Sequence, residues 1–323
     1  MNDANYHQGM KKERRVKIAL VGIGGVGGYY GGMLARKYEG SAEYDIFFIA
    51  RGEHLEKIKT DGLKVIAKEG DFIARPSLAI EDPAELGPLD VIIFATKGYD
   101  LENAARMITD NLNTDTIMIP LLNGVDNVER LKTVVNKGII LNGCVYISAQ
   151  IVSPGVIEHV GGPASLFFGP EEGHISQYSE LETVMKDAGI QATLSDHIIT
   201  DVWSKYIFVG PLGGITSMIN EPLGVIMENE KHRTMLEGLM KEVETLAQAK
   251  NILLPENIVQ QSLNVTSTFP YETRTSIQLD FEKGKHTEVE TFTGYVVRSG
   301  IELGIKTPLH DVVYAALKNK SKV

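Results

Sequence analysis

The feature that most constrains the fold is a glycine-rich turn between an apolar strand and a helical segment, within residues 16–32. Gly22, Gly24 and Gly27 give the spacing GxGxxG directly after the apolar run 16–21. In a dinucleotide-binding turn the first glycine permits the tight turn, the second lets the backbone approach the pyrophosphate, and the third lets the helix pack closely on the strand. The helix N-terminus then favours an anion. A glycine triplet alone would fit an ordinary turn, but the flanking strand and helix favour a dinucleotide-binding βαβ unit.

The end of the second apolar strand indicates which dinucleotide is bound. Residues 44–49 form an apolar run, and Ala50-Arg51 follows at the point where NAD-binding proteins place an acid on the ribose 2′-hydroxyl. A guanidinium can instead bind a 2′-phosphate through two charge-assisted hydrogen bonds, worth about 1.5–3 kcal/mol. Arg51 therefore predicts NADP(H) as the cofactor, with His54 as a candidate second donor. The alternative is an ordinary exposed charge after a strand.

The rhythm of the remaining apolar runs predicts an α/β fold with a doubly wound parallel sheet. Buried-type strands are expected at 89–96, 116–122 and 139–146, separated by helical or turn-rich segments. The other expected elements are a helix at 53–60, a hairpin of 62–67 with 71–74, and an antiparallel extension at 156–160 followed by 165–169, bracketed by turns at 153–155 and 161–163. This pattern is typical of a Rossmann-type domain.

From about Gln177 helical spacing takes over, which predicts an almost all-α second domain. Apolar residues from Leu236 to Ala247 recur at the spacing of one buried stripe of a long helix. Further helices are expected at 196–209, 256–266, 274–282, 288–303 and 308–318. Pro211 and Gly213-Gly214 are expected to break or bend the first of these helices.

With 323 residues the chain is long enough for two domains. We divide it into a flexible extension (1–15), an NADP-binding Rossmann domain (16–195) and a helical substrate or dimerisation domain (196–323). We expect the helical domain to bind the substrate or to form the interface of a homodimer.

Composition argues against several classes of partner. The formal net charge of −10 argues against a nucleic-acid-binding or acidic-membrane surface. The longest apolar runs, such as 91–95, fall far short of the roughly 20 residues that cross a bilayer, and residues 1–15 lack the apolar segment of a secretory signal. The single cysteine, Cys144, excludes an intramolecular disulfide and fits a reducing cytoplasm. No His, Cys or acid cluster has metal-ligand spacing, so no metal is expected.

Candidate chemical groups fall in three places. Lys97 and Asn123 each follow an apolar strand, so both should project from the carboxyl edge of the sheet, where ligands bind. Lys205 lies in an apolar helical run and is therefore either extended to solvent or desolvated, which would lower its pKa. Ser276 and Asp280 share a helix face, and Ser276 could converge with Glu288 only if the chain turns at Gly284.

Taken in order, these residues resemble the ketopantoate reductase family, also called 2-dehydropantoate 2-reductase. The similarity covers nearly the whole chain. The shared elements are GxGxxG, an Arg after the second strand, a strand-end Lys, Asn-Gly, Trp-x-Lys, Ser-x-x-x-Asp and Thr-Glu. Here they are Gly22/Gly24/Gly27, Arg51, Lys97, Asn123-Gly124, Trp203/Lys205, Ser276/Asp280 and Thr287-Glu288.

The resemblance implies an activity and a role for each residue. The family reduces a branched 2-oxo acid to the 2-hydroxy acid with NADPH. Lys205 would be the general acid that protonates the carbonyl oxygen, with Glu288 orienting and charge-balancing it. Ser276 would hold the substrate carboxylate, assisted by Asp280. Asn123 and Lys97 would bridge substrate and cofactor, and Glu288 would also face the cofactor.

The chain departs from the family where the family usually carries asparagines after its lysine. Here those positions are Val209, Gly213 and Leu223, so the expected substrate is 2-dehydropantoate or a related branched, more apolar 2-oxo acid. Two other functions remain open. One is another Rossmann-plus-helical dehydrogenase, of the 3-hydroxyacid or opine type, which would use a histidine-centred site. Its candidates are His159, His174, His197, His232, His286 and His310. The other is a non-enzymatic NADPH sensor.

Overall fold

The computed structural model describes residues 14–320, in which eleven strands form two sheets. The strands are β1 (Val16–Val21), β2 (Tyr44–Ile49), β3 (Leu63–Ile66), β4 (Phe72–Ala74), β5 (Leu78–Ile80), β6 (Val91–Phe94), β7 (Ile117–Pro120), β8 (Ile139–Ile140), β9 (Asn142–Ser153), β10 (Val156–Gly169) and β11 (Gln191–Leu194).

Six strands form the parallel sheet that the apolar runs predict, in the order β5-β2-β1-β6-β7-β8. Each neighbouring pair in this sheet is parallel. The chain proceeds outward from β1 on one side and from β6 on the other, so the strand order reverses between these two. A crevice for ligands opens at such a reversal, beyond the carboxyl ends of the strands. The expectation of a doubly wound sheet followed by a helical half is confirmed.

The single strand expected at 139–146 is wrong, because the chain changes sheets at Leu141. The pair Ile139–Ile140 extends the parallel sheet beside β7, and β9 then begins the second sheet. Gly143 explains how the chain can cross there. A Cβ on Gly143 would lie 2.8 Å from Ile119 and 3.0 Å from Leu121, so the start of β9 passes too close to the end of β7 for a side chain.

The second sheet has the order β11-β10-β3-β4, with β9 antiparallel to β10. Two strands were expected at 156–160 and 165–169, but one long strand covers both, since register shifts on either side of Gly161 absorb the glycines while β9 continues alongside. The sequence also failed to predict β11. Its four residues pair in parallel with 165–168 of β10 and are too short to give a clear periodicity.

The α-helices surround the sheets up to Asp187 and dominate from Ile198 onward. They are α1 (Gly25–Lys37), α2 (Gly52–Asp61), α3 (Leu101–Met107), α4 (Asn127–Lys132), α5 (Ser179–Asp187), α6 (Ile198–Ile219), α7 (Leu223–Glu228), α8 (Glu230–Ala249), α9 (Ile258–Thr266), α10 (Ser276–Glu282), α11 (Tyr295–Leu303) and α12 (Pro308–Lys320). A π-helical turn, Glu290–Gly294, precedes α11 within the segment expected to be one α-helix. The domain boundary proposed near Ser195 falls between β11 and α6.

Helix α6 continues through Pro211, so the predicted break is wrong. Tertiary packing explains the continuity. Gly213 allows Phe292 to pack where a Cβ would lie only 2.8 Å from its ring, and Gly214 does the same for Thr293 at 3.0 Å. Packing of this kind overrides the low helix propensity of Pro and Gly. The stripe predicted on α8 is confirmed, because Leu236, Leu239, Met240, Val243, Leu246 and Ala247 are fully buried.

Most of the predicted extension 1–15 lies outside the described residues. Its last two residues are described, and both contact the first domain: Arg14 pairs with Asp90 at 2.7 Å and Arg15 with Asp45 at 3.0 Å. Within residues 14–320 no helix combines the length and the apolar character that spanning a membrane requires.

The helical half contains a buried carboxylate that caps α12. Glu242 of α8 accepts hydrogen bonds from the backbone N–H groups of Leu309 (2.8 Å) and His310 (3.0 Å), and its Oε2 lies 2.7 Å from Nδ1 of His310. Burial raises the pKa of Glu242, but these hydrogen bonds outweigh it and lower the net pKa below its ordinary value. The stabilisation is therefore present above the ordinary carboxyl pKa and is lost as pH falls through the folded-state value.

We expect Glu242→Ala to lower the free energy of unfolding by about 2–3 kcal/mol at neutral pH, because it leaves buried donors unpaired. Urea denaturation measures this change. The matched control is Glu237→Ala on the same helix, whose exposed carboxylate pairs only with Lys241 and should change stability by less than about 0.5 kcal/mol. Equal effects of the two substitutions would contradict the capping role.

Candidate active site between the sheet edge and the helical half

The glycine turn has the geometry that its spacing predicts. Gly22 has φ +92°, and a Cβ on Gly27 would lie 2.0 Å from the carbonyl oxygen of Gly22. Gly24 differs, since a Cβ there would meet no atom within 4 Å. Helix α1 begins at this open space without a side-chain cap and without an acidic residue in its first turn. The space beside Gly24 and the free N–H groups of α1 therefore fit a dinucleotide pyrophosphate.

Arg51 lies at the end of β2 and is 79% exposed, with its guanidinium 3.4 Å from the carboxylate of Asp100. It is thus accessible to a ligand. The Nδ1 of His54 accepts a hydrogen bond from the backbone N–H of Gly155 at 2.9 Å, and burial lowers the pKa of His54. The ring is turned toward the β9–β10 hairpin through Nδ1 only, so the role of His54 as a second donor to a phosphate stays a prediction.

Two acids from the helical half converge on the end of β6. The Nζ of Lys97 lies 2.7 Å from Asp280 and 3.2 Å from Glu288. The other carboxylate oxygen of Glu288 accepts the backbone N–H of Gly98 at 2.8 Å. Glu288 is almost fully buried, and Asp280 is largely so. These contacts join the carboxyl edge of the parallel sheet to the helical half.

Lys205 is buried rather than extended to solvent, with 7% of its surface exposed. Its Nζ donates a hydrogen bond to Oδ1 of Asn123 at 2.8 Å, from α6 to the end of β7. Burial lowers the pKa of Lys205, while the negative charge of Glu288 raises it in part. The resemblance implied that Glu288 orients Lys205 directly. In the structure the amine of Lys205 instead donates its hydrogen bond to the side chain of Asn123, and Glu288 pairs with Lys97.

The turn proposed at Gly284 is present. Gly284 has φ +59° directly after α10, and the N–H of Lys285 returns to the carbonyl oxygen of Asp280 at 2.9 Å. This reversal brings Glu288 back beside Asp280. Ser276 begins α10 with an exposed side chain, one turn before Asp280. Of the predicted site residues, Ser276 therefore lies at the rim and outside the buried polar network.

The sequence did not single out the residues that hold the two halves together. A Cβ on Gly98 or on Gly124 would lie 2.8 Å from the side chain of Thr291, so both strand-end loops pack directly on the π-turn. Tyr206, adjacent to Lys205, donates its hydroxyl to the carbonyl oxygen of Thr291 at 2.8 Å. A π-turn often marks a functional site, but nothing in the sequence pattern distinguishes it from α-helix.

Cys144 lies beside this site, on β9. Burial raises the pKa of its thiol to about 12, although the positive charge of Lys205 lowers it in part. A thiol with this pKa is protonated at neutral pH and is a poor nucleophile. The expected packing role therefore fits the surroundings of Cys144.

Comparisons with known proteins match both halves of the chain. The profile described as "Ketopantoate reductase PanE/ApbA" matches residues 18–173, and the profile described as "Ketopantoate reductase PanE/ApbA C terminal" matches residues 197–321. The chain belongs to the ketopantoate reductase PanE/ApbA family. It is accordingly an oxidoreductase of that family.

Individual members of the ketopantoate reductase family match over nearly their whole length. The uncharacterised oxidoreductase YkpB of Bacillus subtilis is 28% identical, over 94% of this chain and 98% of its own. The solved 2-dehydropantoate 2-reductase of Porphyromonas gingivalis W83 is 33% identical, covers 94% of this chain and 100% of its own, and has a TM-score of 0.81. The PanE/ApbA family ketopantoate reductase of Ralstonia eutropha JMP134 is 27% identical, with coverages of 95% and 99% and a TM-score of 0.87.

For this ketopantoate reductase family member we expect Gly24→Ala to weaken dinucleotide binding while leaving stability unchanged. The new methyl group has open space in the unliganded chain, but it occupies the approach to the N-terminus of α1. Fluorescence titration with NADPH and thermal unfolding measure the two effects. The control is Gly161→Ala in β10. A Cβ at Gly161 also meets no atom within 4 Å, and this residue lies outside the glycine turn. Unchanged NADPH affinity in Gly24→Ala would contradict the assignment of the turn.

Proposed function

We propose that this protein reduces a 2-oxo acid to the 2-hydroxy acid with NADPH, and that Lys205 supplies the proton. The observation that carries the proposal is the Lys205 amine, buried at the carboxyl edge of the sheet and 2.8 Å from Asn123. An amine in this position can meet a carbonyl group that is held against a cofactor bound at the glycine turn. The family membership supports the same reaction class.

The residues of the turn fit the cofactor that the family implies. Gly24 leaves space for the pyrophosphate, α1 offers its N–H groups, and Arg51 offers a guanidinium to a 2′-phosphate. The ion pair of Arg51 with Asp100 is exposed, so it contributes little stability and can be exchanged for a phosphate. NADPH, when bound, supplies the hydride.

Lys205 acts on the carbonyl oxygen of the substrate. Negative charge develops on that oxygen as the carbonyl carbon is reduced, and an ammonium within hydrogen-bond reach stabilises this charge before donating its proton. Burial brings the pKa of Lys205 down toward the working pH, which makes it a better acid. Asn123 holds the amine in place through the 2.8 Å hydrogen bond.

The carboxylate of Glu288 favours the charged form of Lys205. The negative potential of Glu288 raises the pKa of Lys205 and so opposes the effect of burial. Lys97 and the N–H of Gly98 hold the Glu288 carboxylate in a fixed place. We assign the binding of the substrate carboxylate to Ser276, at the rim, and Asp280 limits the freedom of Lys97 through its 2.7 Å contact.

The wall beyond Lys205 favours a substrate with an apolar side chain. Val209 lies one helical turn after Lys205 on the same face of α6, and it is only partly buried. The space at Gly213 is filled by Phe292 and Ile277, and Leu223 is 1% exposed in the helical core. These three positions therefore offer no hydrogen bond to a substrate hydroxyl. We propose a branched, apolar 2-oxo acid in preference to 2-dehydropantoate.

The buried pair of His310 with a carboxylate gives no support to a histidine-centred dehydrogenase site. His310 is fully buried against Glu242 at the start of α12, where the pair caps a helix. Turnover separates the reductase from an NADPH sensor, since a sensor would bind the cofactor without oxidising it.

Lys205→Met tests the proposed function. It should lower kcat by about 10³-fold and leave NADPH affinity within about twofold, because the proton donor is lost while the glycine turn is intact. The assay follows NADPH oxidation optically with a panel of 2-oxo acids of different side chains. Lys241→Met, at an exposed site on α8, is the control. Near-normal turnover by Lys205→Met would remove Lys205 from the mechanism, and no turnover by the unaltered enzyme with any 2-oxo acid would reject the function.

Arg51→Ala tests the choice of cofactor. It should weaken NADPH binding by about tenfold or more and leave NADH binding unchanged, because only NADPH carries the 2′-phosphate that the guanidinium would bind. Equilibrium titrations with both dinucleotides measure the ratio. Lys59→Ala removes another exposed cation, on α2, and should leave both affinities unaltered. An unchanged NADPH preference in Arg51→Ala would show that Arg51 does not select the cofactor.

A further inference from the structure

Arg130 contacts the backbone of the loop that follows β6. Its Nε and Nη2 donate to the two carboxylate oxygens of Glu102, each at 2.7 Å, and Nη2 also donates to the carbonyl oxygen of Gly98. Arg130 belongs to α4 and Glu102 to α3, and their side chains are only 21% and 30% exposed. The guanidinium is thus held flat by a two-pronged ion pair while one of its nitrogens binds the loop.

Both backbone polar groups of Gly98 form hydrogen bonds with side chains. Its carbonyl oxygen binds Arg130, and its N–H binds Glu288 at 2.8 Å. A Cβ on Gly98 would lie 2.8 Å from Thr291 and 3.2 Å from Glu288, so the loop touches the helical half with no side chain between them. A shift of this residue therefore moves the Glu288 carboxylate or breaks its hydrogen bond.

The same loop carries Lys97, whose Nζ binds the second oxygen of Glu288 at 3.2 Å. Both hydrogen bonds that fix Glu288 thus come from two consecutive residues. Arg130 lies on the same side of Gly98 as Glu288, since a Cβ on Gly98 would be 3.8 Å from Nη1 of Arg130 and 3.2 Å from Oε1 of Glu288. It contributes no atom to the Lys205 and Asn123 pair, so any effect on Lys205 must pass through the loop and Glu288.

We propose that Arg130, locked by Glu102, is a positioning residue for the reductase site. It fixes Gly98 and thereby holds the Glu288 carboxylate in place beside Lys97. This inference rests on the proposed function and extends it to a pair of residues that lie outside the substrate and cofactor sites.

Arg130→Lys provides the test, because lysine keeps the charge but lacks the planar group that binds Glu102 and Gly98 together. We expect kcat to fall about ten- to hundredfold through misplacement of Glu288. The basic limb of the pH profile of kcat/KM should move to lower pH, since a displaced carboxylate supports the Lys205 ammonium less. Backbone hydrogen exchange in the peptide 97–101 should become faster in the absence of any ligand.

Two further variants complete the experiment. Glu102→Gln releases the guanidinium from the other side and should speed exchange in the same peptide and lower kcat. Arg106→Lys changes an exposed arginine one helical turn after Glu102 on α3, bonded only to Asn103, and should change nothing. Unaltered kcat, pH profile and exchange in Arg130→Lys and Glu102→Gln would overturn the proposal. A lower Tm with normal kcat and an unshifted basic limb would overturn it as well, since that result marks a merely structural ion pair.

The exchange measurement separates this proposal from the function on which it rests. If the unaltered enzyme oxidises NADPH with no 2-oxo acid, the proposed function fails. Exchange that is no faster in Arg130→Lys than in Arg106→Lys would then also overturn the positioning role, whereas faster exchange would support Arg130 as the residue that fixes Gly98.

Discussion

The organisation of this protein depends on removing one ammonium group from water at the junction of two folding units. Lys205 comes from a helix whose neighbouring side chains are apolar, and its amine is received by Asn123 at the end of a buried strand. A buried charge is costly unless polar partners surround it. The amide oxygen of Asn123 and the nearby negative charge of Glu288 meet that need, and they do so only while the helical half is seated on the sheet edge.

Close backbone packing holds the helical half against the edge of the sheet. Gly98 and Gly124 follow the neighbouring strands β6 and β7, and a side chain at either position would collide with Thr291 of the π-turn. Tyr206 binds the same turn from α6, directly beside Lys205. The sheet edge, the lysine helix and the segment carrying Glu288 therefore form one rigid junction. Small displacements there change electrostatic distances, and catalysis by oriented charges is sensitive to such displacements.

Local chemistry made part of this structure predictable from sequence. The spacing of Gly22, Gly24 and Gly27 predicted the turn because Gly22 and Gly27 answer steric demands within the turn itself. The buried stripe of α8 could also be predicted, because its apolar residues recur at helical spacing within one segment. In contrast, β11 is too short to show a periodicity. The change of sheet at Leu141 depends on a close approach to β7 that no local pattern encodes.

The candidate active site was likewise predictable only in part. Features set by local sequence could be anticipated, and features set by tertiary contacts could not. Strand ends place Lys97 and Asn123 at one edge of the sheet, so their proximity to a ligand could be anticipated. The sequence left open whether Lys205 is buried or solvated, because the answer depends on which elements pack over α6. The partner of Glu288 could not be inferred, because its hydrogen bond with Gly98 spans 190 residues. Only the fold shows that Lys97, and not Lys205, holds this carboxylate.

The central claim is that the negative charge of Glu288 raises the pKa of a buried Lys205 that acts as the proton donor. The most direct measurement is the basic limb of the kcat/KM profile in the unaltered enzyme and in Glu288→Gln, which reports the pKa of the essential acid in the free enzyme. Burial lowers the pKa of Lys205 from 10.5, so the limb should lie below that value in the unaltered enzyme. It should move to still lower pH in Glu288→Gln, because the charge that supports the ammonium is gone. A limb that stays in place or moves to higher pH in the variant would contradict the account.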